Sequence, residues 1–390
     1  MSLTSGLKSP RTPLRRFLDR ELSAGPKPLR ADFRARHVPD RVLMPPPGIG
    51  GEAGTIGTAI DQRLRLAFTA AAPVDDASLD GIAVAATMSD TLAGDRMGAV
   101  GAELVEHLEA TVHALSLDDR RQDLERAHDE EQYLARMLLA AAWFAVAYRN
   151  WYGFTFTPLY EAAREDPATF TLARLLQLPD QVLVDDVVHQ VHHAVGGPLE
   201  FLRQASTPAD CRGGPTFPGA RISADADLLV DGLLLDFKSA SRPHNLPQQT
   251  VWQLLGYLLL DTADRYRIDT VGLYLTRSAR LVTWPVEDYL DLLGARRREL
   301  QELRRVFADL LAGCQADADP HVFGDNPAAD RLVEELAAVI PAGHCHVCAQ
   351  PLPAGVTRAW CSAWCHTRQT TLRRRGWLPA QSAASVTVRP

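Results

Sequence analysis

The stretch DADLLVDGLLLDFK, from Asp225 to Lys238, constrains the fold of this chain more than any other segment. Its apolar residues form two short runs, and the Asp231-Gly232 dipeptide between them is typical of the tight turn of a β-hairpin. We therefore predict two strands that pair across this turn. The residues of a strand that is buried on both faces of its sheet seldom carry charge. The acids and the lysine of this hairpin therefore need partners, either opposite charges or a metal ion.

The predicted hairpin brings two of its acids together. Residues two apart on a strand point to the same face, which groups Asp225 with Asp227 and, on the next strand, Asp236 with Lys238. Pairing across the turn places Asp227 beside Asp236. Neighbouring carboxylates repel each other unless a cation lies between them, and oxygen ligands favour Mg²⁺ or Mn²⁺. A lysine at this place can orient or deprotonate an attacking water, so the hairpin predicts a site for phosphodiester hydrolysis.

Strand periodicity continues on both sides of the hairpin and predicts an α/β fold with a mixed sheet. We expect strands at 222–230, 233–238, 270–276 and 279–284. Between the second and third lies a predicted helix, QQTVWQLLGYLLLDTA, with Trp252, Leu255 and Leu259 directed to the core. A single long helix is predicted for 286–313. Helices on the faces of a sheet bury its apolar residues, so this region is predicted to be the core of the protein.

Six segments are predicted along the chain. A basic N-terminal segment (1–50) includes a short amphipathic helix around PLRRFLDREL, and a core helix (51–79) follows a glycine-rich turn, with Ile60, Leu64 and Phe68 on one face. Residues 80–205 show only helical periodicity and are predicted to form a helical insertion. The α/β core (206–313), a linker with a short helix (314–340) and a cysteine-containing C-terminal domain (341–390) complete the chain.

The order of these motifs resembles the PD-(D/E)xK nuclease superfamily, and in particular its RecB-like branch. Asp227 on one strand, Asp236-Phe237-Lys238 on the next and Gln253-xxx-Tyr257 on the following helix match the pattern of that branch. The resemblance implies a restriction-endonuclease-like core. It also implies that Asp227, Asp236 and the Phe237 carbonyl bind Mg²⁺ or Mn²⁺, that Lys238 acts on the water, and that Gln253 and Tyr257 support the site.

The RecB-like branch also has a metal-binding histidine on an upstream helix, and this chain differs at that position. The corresponding segment is GTIGTAIDQRLR, in which Asp61 stands at the expected place. A carboxylate also suits Mg²⁺, so the resemblance implies Asp61 as the upstream ligand. His189 is the alternative.

Two further metal sites are compatible with the sequence. Asp185, His189 and His193 are spaced four residues apart, so they share one face of a predicted helix and form a candidate transition-metal site of a different hydrolase. Asp225 and Asp236 also stand at the first and twelfth places of a calcium-binding loop. The sixth place of that loop requires glycine and here is Val230, which argues against calcium.

The C-terminal cysteines predict a structural zinc site. Cys345, Cys348, Cys361 and Cys365 form two close pairs joined by a loop, as tetrahedral Zn²⁺ requires. The segment resembles small treble-clef zinc fingers that precede an arginine-rich helix. In this chain the following arginines are candidates for phosphate contacts with nucleic acid: Arg368, Arg373, Arg374 and Arg375.

Charge is distributed unevenly along the chain. The last 55 residues contain six arginines and no acid, whereas the net charge of the whole chain is −7. Basic ends and an acidic middle are compatible with a polyanionic partner. No apolar run suits a signal peptide or a membrane span, and clustered cysteines favour a reducing compartment, so a cytoplasmic location is predicted.

Together these features predict a metal-dependent nuclease. Its expected substrate is DNA, with RNA as an alternative, and a protein partner or a second copy of the chain remains compatible with the sequence. A different class of protein fits the same motifs, namely a non-catalytic DNA-binding adaptor with a nuclease-like core. Cleavage in the presence of a divalent metal distinguishes the two, because an adaptor binds DNA without cleaving it.

Overall fold

The computed structural model of the chain describes residues 3–8, 13–88, 92–217, 222, 224–240, 242–296, 299–313 and 351. Its N-terminal and central helices are α1 (Leu3–Lys8), α2 (Pro13–Glu21), α3 (Lys27–Arg36), α4 (Ala53–Leu66), α5 (Asp76–Ala85), α6 (Leu92–Leu115), α7 (His128–Arg149), α8 (Trp151–Phe154), α9 (Pro158–Glu165), α10 (Leu172–Gln177), α11 (Gln181–Ala194) and α12 (Pro198–Ala205). The C-terminal part contains β1 (Cys211–Gly213), β2 (Leu228–Val230), β3 (Leu233–Lys238), α13 (Gln248–Leu260), β4 (Thr270–Leu275), β5 (Arg280–Pro285), α14 (Val286–Leu293) and α15 (Leu300–Gly313). Within these ranges no helix is long and apolar enough to span a membrane.

The strands form one mixed sheet in the order β1-β2-β3-β4-β5. Strand β2 pairs antiparallel with β3 across the predicted turn, where Asp231 and Gly232 both adopt positive φ values of 43° and 83°. Such a turn matches the twist of the two strands, which explains why this dipeptide forms it. Helix α13 connects β3 to β4, and these two strands are parallel, as a crossover connection requires. The prediction of an α/β fold with a mixed sheet is therefore confirmed, with β1 as a short strand that the sequence did not predict.

One face of the sheet is covered by the central helices. Residues from α4 to α12 share a hydrophobic cluster with Leu228, Leu235 and Phe237 of the sheet. The helical region predicted as an insertion therefore has no core of its own in the described residues, and it packs directly on the sheet. The predicted boundary at residues 79 and 80 falls inside α5.

The other face is covered by the two ends of the described chain. Helices α1, α2 and α3 pack with α13, α14 and α15 over Leu229 and Leu234. The basic N-terminal segment is therefore more regular than the single short helix that its sequence indicates. Trp252, Leu255 and Leu259 of α13 are all buried, as predicted.

The predicted long helix at 286–313 is wrong, because two helices occupy this region. Helix α14 stops before Gly294, which has φ of 67°, and α15 begins at Leu300. The Gly294 and Ala295 amides donate to the carbonyl oxygens of Asp291 and Leu290 at 2.9 and 3.0 Å. This is the Schellman pattern, in which a left-handed glycine ends a helix. In the sequence, Gly294 and the charged run that follows it are the signal of this break, which the prediction of a long helix did not use.

Replacement of Gly294 by alanine is expected to lower the free energy of unfolding by about 1–3 kcal/mol. The left-handed conformation is costly for alanine, and the new Cβ would lie 2.7 Å from the backbone nitrogen of Ala24. Urea denaturation measures the change. Gly57→Ala is the matched control, because Gly57 lies within α4 and a methyl group added there would meet open space. It should stabilise the protein by about 0.5–1 kcal/mol. Equal stability of both variants would contradict this account of the helix end.

Candidate active site

The hairpin holds the two predicted acids opposite each other. Leu228 pairs with Leu235, so the next residues outward, Asp227 and Asp236, stand in register. Alternation along β3 places the Asp236 side chain on the face that carries Leu234, and Asp227 directly precedes β2. One oxygen of Asp227 (Oδ2) accepts a hydrogen bond of 2.6 Å from the Phe237 amide, which fixes this carboxylate against the neighbouring strand.

Lys238 completes this cluster at the end of β3. Its Nζ lies 2.5 Å from Oδ2 of Asp236, whose side chain is only 1 % exposed. Burial opposes the positive charge of Lys238, but Asp236 and Asp227 together raise its pKa above the ordinary value. The lysine is therefore a protonated donor beside the acid pair. The structure thus brings together Asp227, Asp236 and Lys238, as the sequence pattern predicted.

The acid pair is protonated more readily than ordinary aspartates. Burial, and after it the charge of Asp236, raises the pKa of Asp227 to about 7. Burial also raises the pKa of Asp236, against the opposing effect of Lys238. Two ionised carboxylates this close repel each other. The pair therefore favours binding of a proton or of a cation.

Asp61 on helix α4 also belongs to this cluster. Burial raises its pKa well above the usual range, and Asp227 adds to the rise, whereas Arg65 and Lys238 oppose it. Its Oδ1 lies 3.5 Å from Nε of Arg65, one helical turn away. His189, the alternative upstream ligand, is exposed on α11. Of the two candidates, Asp61 is the one that interacts with the acid pair.

The predicted Gln253 and Tyr257 pair lies on one face of α13. Nε2 of Gln253 donates a hydrogen bond of 2.6 Å to Oη of Tyr257. Tyr257 is buried and its ring stacks on Phe217, with centroids 5.7 Å apart. Burial, followed by the charges of Asp236 and Asp227, raises the pKa of Tyr257 well above 10. The tyrosine is therefore a neutral hydroxyl within the electrostatic field of the acid pair.

Several charged residues around the site were missed by sequence reasoning. Nη2 of Arg149, at the end of α7, lies 3.6 Å from Asp225 and 3.9 Å from Asp75. Asp75 also caps α5 by accepting a hydrogen bond from the Ser78 amide. These residues are distant in sequence, and only the packing of α5 and α7 brings them to the hairpin. The one local signal was an arginine that follows the apolar second half of α7.

The predicted metal face of α11 is not formed in the described residues. Asp185 accepts hydrogen bonds from Gln181 and Gln132, at 2.7 and 3.2 Å, His189 is exposed, and His193 is only partly buried. The buried polar residues of α11 are one position further along, at Asp186 and Gln190. The histidine spacing therefore indicated the wrong face of this helix.

Gln190 positions the chain at the end of the sheet that carries Lys238. Its Oε1 accepts hydrogen bonds from Ser239 and Thr276, at 2.7 and 2.6 Å. Ser239 follows Lys238 directly, and Thr276 follows strand β4. Helix α11 therefore fixes the ends of the two central strands, and with them the position of Lys238.

The oxygen atoms of this cluster are suitable ligands for a divalent cation. Apart from the Lys238 and Arg65 contacts, both oxygens of Asp236 and Oδ1 of Asp61 are buried without a hydrogen-bond partner. Since N–H and C=O of one strand residue point to the same neighbour, the Phe237 carbonyl faces the β2 side, towards Asp227. The acids of this cluster also outnumber its bases by two, the members being Asp61, Asp75, Asp225, Asp227, Asp236, Arg65, Arg149 and Lys238.

The ligand set is nevertheless not preassembled. Within the described part of the chain, no three His, Cys, Asp or Glu side chains are grouped closely enough to hold a metal ion. Lys238 and Arg65 neutralise Asp236 and Asp61, which are two of the acids that would bind it. Metal binding at this site therefore requires these ion pairs to rearrange.

The calcium-loop interpretation does not agree with the fold. Leu228, Leu229 and Val230 would be exposed in such a loop, but they form the buried strand β2. The hairpin strand begins only at Leu228, so the strand predicted at 222–230 is shorter than expected, and Asp225 forms an isolated bridge with Thr216.

Metal binding is expected to stabilise the protein more at about pH 8 than at about pH 5.5. The pKa of Asp227 is higher in the folded than in the unfolded protein, so the folded state holds more protons between these values. Stability of the metal-free protein therefore falls as pH rises through this range, and a cation offsets the loss. At a Mn²⁺ concentration of 100 times Kd, the gain is about 2.7 kcal/mol. Thermal unfolding with and without Mn²⁺ at both pH values measures it.

Asp227→Asn provides the control for this experiment. The amide keeps an oxygen that can accept the Phe237 hydrogen bond, but it removes the negative charge. The variant should lose the Mn²⁺ response at both pH values. A response that is independent of pH, or one that Asp227→Asn retains, would place the metal elsewhere.

The zinc-site prediction falls outside the described residues, as do the arginines proposed to contact phosphate. These positions are Cys345, Cys348, Cys361, Cys365, Arg368, Arg373, Arg374 and Arg375. Zinc binding and phosphate contact at the C-terminus therefore stay predictions from the sequence. Of the other two cysteines, Cys211 is a buried free thiol in β1.

Comparison of the chain with protein-family models, curated proteins and solved structures found no match. The function of the site is therefore inferred from the geometry of its own residues. The informative features of that geometry are the opposed acids, the adjacent lysine and the third acid on α4.

Proposed function

We propose that the protein is a metal-dependent nuclease that hydrolyses phosphodiester bonds of DNA. The observation that carries this proposal is the proximity of Asp227 and Asp236 at the open end of the hairpin, with Lys238 2.5 Å from Asp236. The resemblance to PD-(D/E)xK nucleases supports it, since that family places the same residue types on neighbouring strands. A restriction-endonuclease-like core, more specific than the mixed α/β sheet described above, is part of the same proposal.

The residues that would hold the metal are Asp227, Asp236, Asp61 and the Phe237 carbonyl. Bound Mg²⁺ or Mn²⁺ supplies charge to polarise the phosphate and to favour ionisation of water. The carboxylates contribute hard oxygen ligands, which suit these ions better than histidine or cysteine. Burial of Asp236 strengthens every electrostatic interaction in the site by excluding water.

Lys238 is assigned the role of positioning the phosphate and the attacking water through its ammonium group. Its pKa is raised by the acid pair, so in the metal-free protein it cannot accept a proton. Its side chain is 29 % exposed and therefore reaches the surface where a strand would lie. A protonated amine beside a phosphate stabilises the negative charge that develops in the transition state.

Gln253 and Tyr257 are assigned a supporting role. The Gln253 amide donates to the Tyr257 hydroxyl, and the tyrosine is anchored by stacking on Phe217. This arrangement directs a polar pair from α13 towards the acids without adding charge. The C-terminal segment is assigned a structural Zn²⁺ site and phosphate contacts, on the basis of its sequence alone.

Incubation of the full chain with DNA in Mg²⁺, in Mn²⁺ and in EDTA tests the proposal. Circular and linear substrates separate endonuclease from exonuclease action, and single-stranded, double-stranded and RNA substrates define the preferred nucleic acid. Cleavage in Mg²⁺ or Mn²⁺ that EDTA abolishes is the expected result. Absence of cleavage of every substrate would overturn the proposal.

A second candidate function is a non-catalytic DNA-binding adaptor. The observation that favours it is the pairing of Asp236 with Lys238 and of Asp61 with Arg65, which neutralises acids that a catalytic metal requires. An adaptor is expected to bind DNA in EDTA and to leave it intact in Mn²⁺. The same incubations, with binding measured by fluorescence anisotropy, distinguish the two functions.

A further inference from the structure

A cationic pocket lies on the loop that connects the two halves of the proposed site. It has a volume of about 550 Å³ and lies between helix α3 and the loop residues 242–246. That loop begins four residues after Lys238 and leads into α13, which carries Gln253 and Tyr257. The pocket is therefore joined by a short connection to both parts of the site.

Three arginines and a histidine line this pocket, and no acid does. Arg30 and Arg34 are one turn apart on α3, so they project from the same face, and Arg242 and His244 lie across from them on the loop. Arg30 donates a hydrogen bond of 3.3 Å to the side-chain oxygen of Asn245. Within the described residues, none of the three guanidinium groups forms an ion pair with a carboxylate.

The neighbouring acids are paired with other bases. Asp32, also on α3, lies 2.8 Å from Arg36 and accepts a hydrogen bond from the Trp284 indole. Asp40 lies 2.6 Å from Arg280. These acids leave the positive charge of the pocket uncompensated. Guanidinium groups that line one pocket repel each other, and an anionic ligand reduces this repulsion.

The remaining lining is apolar and suits the sugar or base next to a phosphate. Val42, Met44, Pro243 and Leu246 form this part of the wall, and Met44 is 71 % exposed. Guanidinium groups bind phosphate through paired hydrogen bonds, and the apolar wall offers a surface on which a sugar or base packs. A nucleotide phosphate with its adjoining sugar and base has the matching chemistry.

We infer that this pocket binds a phosphate group of the nucleic-acid strand through Arg30, Arg34 and Arg242. The inference rests on the proposed nuclease function for the identity of the strand, but the phosphate chemistry follows from the pocket alone. The phosphate has two possible sources, the end of a strand or its interior. Binding of a terminal phosphate would set the distance from the strand end to the bond at the acid pair. Binding of an internal phosphate would hold the strand in register with the acid pair.

Binding measured without divalent metal in an Asp227→Asn background tests the inference. The probe is a single-stranded DNA oligonucleotide labelled at its 3′ end, prepared with a 5′-phosphate and with a 5′-hydroxyl. Arg34→Gln and Arg242→Gln are each expected to weaken binding roughly tenfold, the loss typical of a charge-assisted contact. The dependence of log Kd on log salt should also become shallower for each variant.

Arg36→Gln is the matched control. It removes the same charge from the same helix, but Arg36 points to Asp32 and to the Thr283 carbonyl outside the pocket. Its affinity should stay near that of the background protein, and thermal unfolding of every variant should show that each is folded. Inorganic phosphate should compete with the probe in the background protein and compete less well in Arg34→Gln.

The two sources of phosphate give different results. A loss confined to the 5′-phosphorylated probe identifies a terminal phosphate, and an equal loss for both probes identifies an internal one. Affinities of Arg34→Gln and Arg242→Gln equal to that of Arg36→Gln would overturn the inference.

Cleavage is measured separately, in the same variants with Asp227 intact. If the protein binds DNA through the pocket but does not cleave it, the nuclease proposal fails and the pocket inference stands. If the arginine variants cleave at the normal rate, the pocket inference fails and the nuclease proposal stands.

Discussion

Replacement of Asp236 by asparagine is expected to reduce Mn²⁺-dependent DNA cleavage on the order of 10²–10³-fold. The substitution keeps the size of the side chain but removes a buried negative charge that lies beside Asp227 and Lys238. Without the Asp236 carboxylate, Asp227 would be the one charged ligand from the hairpin. The metal would then bind weakly and lie away from the position that cleavage requires. Initial rates on a linear substrate, at several Mn²⁺ concentrations, separate loss of metal affinity from loss of the chemical step.

Lys238→Met is the companion of this experiment, because it removes the ammonium group and keeps an unbranched stem. It should also slow cleavage on the order of 10²-fold, but without weakening metal binding. Lys238→Arg is not expected to restore activity, since a guanidinium is larger than the ammonium group and binds a carboxylate as a planar fork rather than as a compact charge. Rates for Lys238→Met equal to wild type would remove Lys238 from the mechanism.

His189→Ala is the control that distinguishes the rival hydrolase. His189 is exposed on α11, where the sequence suggested a metal face with Asp185 and His193. The proposed site predicts that this variant cleaves at the wild-type rate. If His189→Ala were inactive while Asp236→Asn remained active, the catalytic centre would lie on α11 and the hairpin would have only a structural role.

The parts of the site that the sequence predicted correctly are local ones. The turn at Asp231-Gly232 fixes the register of β2 and β3, and the register in turn sets Asp227 opposite Asp236. Gln253 and Tyr257 meet because residues four apart on a helix are neighbours. In each case the interacting residues belong to one element or to one hairpin, so short-range geometry was sufficient.

The parts that the sequence did not predict depend on packing between distant segments. Arg149 reaches Asp225 only because α7 packs beside the sheet, and no spacing in the sequence records this contact. On α11, Asp185 and Asp186 are adjacent and of the same residue type, so the sequence alone does not distinguish the one that faces the core. The histidine spacing favoured Asp185, whereas the tertiary fold buries Asp186 to pair with Arg277.

Loss of that buried ion pair is expected to have the largest effect on stability. Arg277 donates to both carboxylate oxygens of Asp186, at 3.0 and 2.7 Å, and both side chains are at most 5 % exposed. Asp186→Ala leaves the guanidinium buried without its partner and also removes an acceptor of the Gln190 amide. The free energy of unfolding should fall by about 3–5 kcal/mol, measured by urea denaturation.

The double variant Asp186→Leu/Arg277→Met tests the cause of this loss. If the cost arises from an unpaired buried charge, replacing both partners by apolar residues should destabilise the protein less than Asp186→Ala does. Arg121→Ala is the control, because its ion pair with Asp119 is on the surface and its side chain is 89 % exposed, so no change in the unfolding midpoint is expected. A double variant less stable than Asp186→Ala would show that the pair contributes more than it costs to bury. Because Gln190 orders the residue after Lys238, Asp186→Ala should also reduce cleavage at temperatures where it remains folded.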